Sequence, residues 1–166
     1  KRAALFGIDR TKKHITEKDE VFIVEGYFDL IALYAGGLKN VVSTLGTSVT
    51  EGQIMKLRNY TENITLMLDG DAAGIKSALR LIGLFAEMDV SGNMVVLPEG
   101  HDPDSFIREK GIDEVLKVVL KKKPILDFYF DHYAERENMT TVRGKQVFIR
   151  HVLPHIEVIR DRVKRR

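Results

Sequence analysis

Ile64-Thr65-Leu66-Met67-Leu68-Asp69-Gly70-Asp71-Ala72-Ala73-Gly74 is the stretch that decides the fold. Its first five residues read as a strand, and two carboxylates flanking a glycine follow at once. Apolar residues then recur at Ala72, Ile75, Leu79, Ile82 and Ala86, a 3.6-residue stripe that predicts an amphipathic helix ending near Ser91-Gly92. Gly70 is read as allowing a tight turn, so that both neighbouring carboxylates can reach bound ions.

Working outward, the same unit repeats. Residues 21–24, Val-Phe-Ile-Val, form a short apolar run of the kind buried on both sheet faces, and a helix over 27–35 follows, closed by Gly36-Gly37. Asn40-Val41-Val42 is a second strand. Thr50-Glu51-Gly52-Gln53 has the spacing of a capping box and opens a helix to about Tyr60. Met94 to Leu97 supplies a fourth strand. Strand–helix alternation of this kind implies an α/β fold built on a mostly parallel four-stranded sheet with flanking helices. After Pro103 only helices are expected, over 104–110, 113–121, 124–138 and from 141 onward, with Pro124 at a helix start and Pro154 kinking or breaking the last. Residues 1–18 look polar and irregular. The expected division is an entry segment over 1–18, an α/β domain over 19–104 and a helical subdomain over 105–166.

The acids fall where this fold would use them. Glu25 follows the first strand, Asp69 and Asp71 the third, and Asp102 and Asp104 the fourth after a short loop. The carboxyl ends of parallel strands form the ligand crevice of an open α/β sheet, so three sets of acids should meet on one edge. Carboxylates gathered there repel one another, a penalty that a divalent cation removes. The chain has no cysteine, which excludes disulfides and thiolate metal sites, so oxygen ligands suited to Mg²⁺ or Mn²⁺ remain. Each acid also has a plain structural reading: Glu25 and Asp71 as helix-start residues, Asp29 as an exposed helical acid, Asp104 as a helix cap. Leu45-Gly46-Thr47-Ser48 reads as a phosphate-contacting loop or a simple strand-to-helix turn, and Lys76 as a phosphate contact or an ion-pair partner. The five histidines show no metal-ligand spacing, and Phe128, Tyr129, Phe130 and Tyr133 read as helix core.

The net charge of +2 conceals an asymmetry. Residues 17–104 hold 14 acids against 6 Lys and Arg, a net of −8, whereas residues 141–166 carry +6. An acidic centre repels nucleic acid unless cations intervene, and a basic end attracts it. No apolar run approaches the roughly 20 residues of a membrane span, and no signal peptide is present, so a cytoplasmic protein is expected. The chain opens at Lys1 and ends on Lys164-Arg165-Arg166, and it reads as a piece of a longer protein.

At the acids the sequence resembles bacterial DNA primases. Glu25-Gly26-Tyr27-Phe28-Asp29 is similar to their EGYxD motif, Asp69 to Gly74 to DGDxAG, and Gly100-His101-Asp102-Pro103-Asp104 to GxDPD. Leu45 to Ser48 is similar to their LGTS loop, and Leu5-Phe6-Gly7-Ile8 to the lead-in. The order and spacing agree from about Leu5 to Asp104. The resemblance implies a Toprim fold, a Rossmann-like module, followed by a C-terminal helical subdomain. It implies catalytic and metal-binding roles for Glu25, Asp69 and Asp71, with Asp29, Asp102 and Asp104 as further metal or nucleotide positions. The implied cofactors are two or more Mg²⁺ or Mn²⁺ ions, with zinc only in an N-terminal domain outside the chain. The implied activity is DNA-directed synthesis of short RNA primers, a nucleotidyl transfer using ribonucleoside triphosphates on a single-stranded DNA template, within the primosome. The replicative helicase is expected to be met through a C-terminal domain missing here, and the isolated chain to make little or no primer. A Toprim topoisomerase or nuclease is the nearest alternative. A phospho-receiver domain would want a lysine after a fifth strand, which the sequence does not show, and an inactive interaction module would not keep all three core acids.

Overall fold

The computed structural model describes residues 3–70 and 72–158, which form a five-stranded sheet covered by helices on both faces. The elements run α1 (Ile8–Lys18), β1 (Val21–Val24), α2 (Tyr27–Ala35), β2 (Val41–Ser43), α3 (Glu51–Leu57), β3 (Ile64–Leu68), α4 (Ala72–Glu87), β4 (Gly92–Val96), α5 (Pro103–Lys110), α6 (Ile112–Val119), β5 (Lys123–Pro124), α7 (Ile125–Arg136) and α8 (Val142–Val158).

The strand order is β2-β1-β3-β4-β5, parallel except for the final antiparallel pair. Alternate residues of each strand feed two cores. Ile23, Val42, Leu66 and Met94 pack on one face with Ile54 of α3, Ile82 and Phe85 of α4, and Tyr129 of α7. Phe22, Val41, Met67 and Val95 pack on the other with Leu33 of α2, Phe106 of α5 and Val115 of α6. Each large aliphatic or aromatic side chain so buried stabilises the fold by roughly 1.5–3 kcal/mol relative to exposure. From β1 the chain steps outward to β2 and then returns past β1 to β3. Right-handed crossovers then require α2 and the pair α3 and α4 to lie on opposite faces, as they do. The reversal leaves a switch point between β1 and β3.

Three expectations change. Residues 8–18, read as irregular, are helical, and Ile8, Thr11 and Ile15 bury one narrow face on the sheet. The sheet has five strands rather than four: Lys123-Pro124 pairs with Asn93 and Met94 at the edge beyond β4. That strand is antiparallel and Lys123 is ion-paired to Asp131 at 2.8 Å, so it does not supply the lysine of a receiver domain. Pro154 sits inside α8 instead of ending it.

Candidate active site

The first acid pair is set by strand register. Val21 pairs with Ile64 and Ile23 with Leu66. Continued by two residues, that register brings Glu25 level with Leu68, and Asp69 one residue beyond on the neighbouring strand, a backbone separation of roughly 6 Å. Both residues are half-buried. Among the described residues no cation or hydrogen-bond donor engages the Glu25 carboxylate, while its carbonyl is held by the Ser43 hydroxyl at 2.9 Å and the Gly46 amide at 2.8 Å. Those two bonds fix the loop after β2 beside the end of β1. The loop turns through Leu45 and Gly46, both left-handed, at φ 61° and 70°.

Gly70 packs closely against the loop after β4. Its φ is not left-handed; what it provides is close approach. A β-carbon there would stand 2.1 Å from the Pro98 carbonyl oxygen and 2.4 Å from that of Leu97, and its amide donates to the His101 carbonyl at 3.0 Å. Gly74 does the same one helical turn on, where a β-carbon would meet the Asp69 carbonyl oxygen at 2.4 Å. The two glycines clamp the acidic turn between β4's exit loop and the first turn of α4. Asp71 lies outside the described residues.

Asp29, Asp102 and Asp104 form a second neighbourhood, where the N-termini of α2 and α5 converge. Asp29 is buried rather than exposed. Its Oδ2 accepts the Gly26 amide at 2.9 Å and its Oδ1 the Asp104 amide at 3.3 Å, so one carboxylate ties the two helix starts together. Burial pushes the Asp29 carboxyl up, the two amides act to lower it, and the charges of Asp102 and Asp104 raise it further. Asp102, not Asp104, caps α5: its Oδ1 accepts the Ser105 amide at 2.7 Å, and the Ser105 hydroxyl accepts the Asp102 amide at 3.0 Å. Partial burial acts to raise Asp102, but the Ser105 hydrogen bonds and the Arg108 charge outweigh it and hold the carboxyl below its usual range. Asp104 forks onto Arg108, with contacts of 3.1 and 2.7 Å. Among the described residues no three His, Asp or Glu side chains stand close enough together to hold a metal ion.

At the switch point a cleft of ~180 Å³ opens between the Leu45–Ser48 loop and α4, with Glu25 on its wall. Ser77 and Arg80 line it from α4, and Arg80 hydrogen-bonds the Ser48 hydroxyl. Sequence reasoning chose Lys76, which is exposed and not among the lining residues, and passed over both of these. The signal was available: Ser77 and Arg80 are three apart, on one face of the helix that follows the acidic turn.

A mostly parallel α/β sheet with Glu25 and Asp69 at its switch point, beside a polar cleft and a closely packed turn at Gly70, defines the class of the module as an open α/β unit with an acidic strand edge. The chain belongs to the Toprim-like family, which matches residues 22–107. A second family, described as the DnaB-helicase binding domain of primase, matches residues 126–166. This corrects the expectation that all helicase-related sequence lies outside the chain. The DNA primase of Aquifex aeolicus is 41% identical over 115 residues, covering 69% of this chain and 23% of the relative. That of Legionella pneumophila is 33% identical over 162 residues, covering 95% and 28%. A DNA primase domain from Pseudomonas aeruginosa superposes with a TM-score of 0.89 at 30% identity, over 99% of this chain and 53% of that one. A primase catalytic domain bound to single-stranded DNA gives 0.84 at 26% identity, over 98% and 54%. The chain thus spans about a quarter of its curated relatives and about half of these solved chains. No helix among the described residues is long and apolar enough to cross a membrane.

Proposed function

We propose that this chain is part of the catalytic core of a DNA primase, an enzyme of metal-dependent, DNA-directed RNA primer synthesis. The observation that carries the reading is the pair Glu25 and Asp69, leaving adjacent parallel strands at the switch point, with Glu25 lining a polar cleft and its carboxylate engaged by no donor or cation among the described residues. An all-oxygen donor set beside a cleft, with no protein cation on Glu25 among the described residues, fits Mg²⁺ or Mn²⁺. Glu25, Asp69 and Asp71 would hold the ions, which when bound supply activation of a 3′-hydroxyl and stabilisation of a leaving pyrophosphate.

The chain's own residues do the rest. Gly70 and Gly74 hold the Asp69 turn rigid, and the Ser43 hydroxyl fixes the Glu25 backbone. Asp29 positions the α5 start, where Asp102 and Asp104 would hold a further cation that carries nucleotide phosphate. Single-stranded DNA template, ribonucleoside triphosphates and an RNA primer are the implied substrates and product, in the cytoplasm. The match over 126–166 supports a replicative helicase partner, and the match over 22–107 supports a Toprim unit over 19–104 followed by a helical subdomain over 105–166. Residues 1–18 would lead in from a preceding subdomain, and any zinc would belong to a domain further N-terminal. Calorimetric titration with Mn²⁺ should show loss of binding in Asp69→Asn, and primer synthesis on single-stranded DNA by the full-length protein should fail in Glu25→Gln. Equal Mn²⁺ affinity in wild type and Asp69→Asn would sink the reading.

A further inference from the structure

The cleft at the switch point has two unlike walls. One bears Glu25. The other, from α4, bears Ser77 and the guanidinium of Arg80, and the loop that carries Thr47 and Ser48 lies across from α4. Among the described residues Arg80 has no carboxylate within ion-pair distance; its one recorded side-chain contact is the neutral Ser48 hydroxyl. A guanidinium beside a cleft, surrounded by hydroxyl donors and free of a salt bridge, is a donor-rich surface for a tetrahedral oxyanion. The loop opposite is fixed at its start: Leu45 and Gly46 hold two successive left-handed conformations, the Thr47 hydroxyl donates to the Thr44 carbonyl at 2.8 Å, and the Ser43 hydroxyl accepts the Leu45 amide at 3.1 Å. The cleft, of ~180 Å³, has room for a phosphate group.

From these features we infer that Arg80, with Ser77 and Ser48, forms a phosphate-binding subsite facing Glu25 across the cleft. The inference deepens the primase reading, since Glu25 belongs to the metal set proposed there. Arg80 contributes the charge. Ser77, one turn earlier on α4, and Ser48, on the fixed loop, contribute hydroxyl donors. The Arg80–Ser48 contact keeps the guanidinium on the cleft wall until an anion replaces the weaker neutral partner. The phosphate belongs either to a nucleotide or to the backbone of a nucleic-acid strand, and both present the same chemistry.

The test uses the full-length protein in Mn²⁺ with two probes, ATP carrying a fluorophore on its ribose and a fluorescein-labelled twelve-residue oligothymidylate, each titrated by anisotropy. Losing one charge-assisted contact should weaken binding of one probe roughly tenfold or more in Arg80→Gln. The probe affected identifies the source of the phosphate. Arg80→Lys should recover part of the loss, because it restores charge without the fork. Ser48→Ala removes one hydroxyl donor and leaves the guanidinium, so it should weaken the same probe by a smaller factor than Arg80→Gln does. Wild-type affinity for both probes in Arg80→Gln would overturn the inference and leave the metal site untouched. A loss in Ser48→Ala equal to that in Arg80→Gln would also overturn it, because Arg80 would then serve only to hold the loop. Failure of the wild type to bind either probe would sink the primase reading and the subsite together.

Discussion

Gly70 shows how much of a motif is steric. Its neighbours carry the charge, but the turn closes only because nothing occupies the space 2.1 Å from the Pro98 carbonyl. Gly70→Ala should therefore destabilise the fold by about 2–3 kcal/mol, since backbone rather than a flexible side chain must move. Gly100→Ala is the contrasting case: its φ is 83° and no atom lies within 4 Å, so only the left-handed conformation is charged against it, about 1 kcal/mol. Urea denaturation of the two variants should separate them. Asp29 makes a second residue-scale prediction. Its folded pKa is raised, so between the unfolded and folded values the native state binds more protons, and stability falls as pH rises through that window. A pH series of urea midpoints just above the ordinary carboxylate pKa should show this decline in the wild type and lack it in Asp29→Asn. That Glu25 and Asp69 would leave neighbouring strand ends was legible in the sequence; that Asp29 would be buried between two helix starts, apart from that pair, was not. Its partner Asp104 lies 75 residues away, and nothing local announces the contact.

At the scale of the element, α5 depends on its cap. Asp102→Ala should cost about 1 kcal/mol and Asp102→Asn almost nothing, since asparagine offers the same acceptor. Asp104→Asn should leave the melting temperature within error, because the Arg108 pair is largely exposed on the arginine side and such pairs contribute roughly 0–1 kcal/mol. If Asp104 helps to carry nucleotide phosphate, the same variant should weaken Mn²⁺-dependent ATP binding; unchanged affinity would reduce it to an ion-pair partner. Strands β1 and β3 and helix α2 were legible to the residue: β1 is an unbroken apolar run between Glu20 and Glu25, β3 is apolar but for Thr65 and ends at Asp69, and α2 lies between Gly26 and Gly36. Helix α1 was missed because its buried face is only Ile8, Thr11 and Ile15, one of them polar, in an otherwise charged segment. Strand β5 was missed because two exposed residues, Lys123 and Pro124, carry no hydrophobic signature, and proline is tolerated there only because the strand is an edge.

For the whole molecule, the helical end is welded to the sheet rather than appended to it. Ile125, Tyr129 and Val152 share a core with β1 and β3, and the Tyr129 hydroxyl donates to the His151 carbonyl at 2.8 Å, joining α7 to α8. Burial first, and then Tyr133, push the Tyr129 phenol up to about 12 from its ordinary value of 10.0. The raised value means that this residue's contribution is complete below the unfolded pKa and is lost as pH rises toward the folded one. Alkaline unfolding should thus steepen across that interval, and Tyr129→Phe should remove the steepening, read by circular dichroism. Charge is likewise a property of the whole. With −8 across residues 17–104, the 166-residue chain alone should bind DNA weakly, because non-specific affinity comes from cationic contacts with phosphates. Tight, salt-sensitive anisotropy binding would contradict this and direct attention to the +6 of residues 141–166.

The strand order has a further consequence for how the chain reaches this shape. The strand made first, β1, is flanked by β2 on one side and by β3, more than forty residues later, on the other. During vectorial synthesis β1 and β2 can pair early, yet one long edge of β1 stays bare until Leu68 has left the ribosome. Contacts of such long sequence separation slow folding and leave apolar backbone open to wrong partners in the interval. The segment that ends in the acidic turn is thus also the one whose arrival covers the second edge of β1, so the pairing of β1 with β3 and the meeting of Glu25 with Asp69 fall in one step.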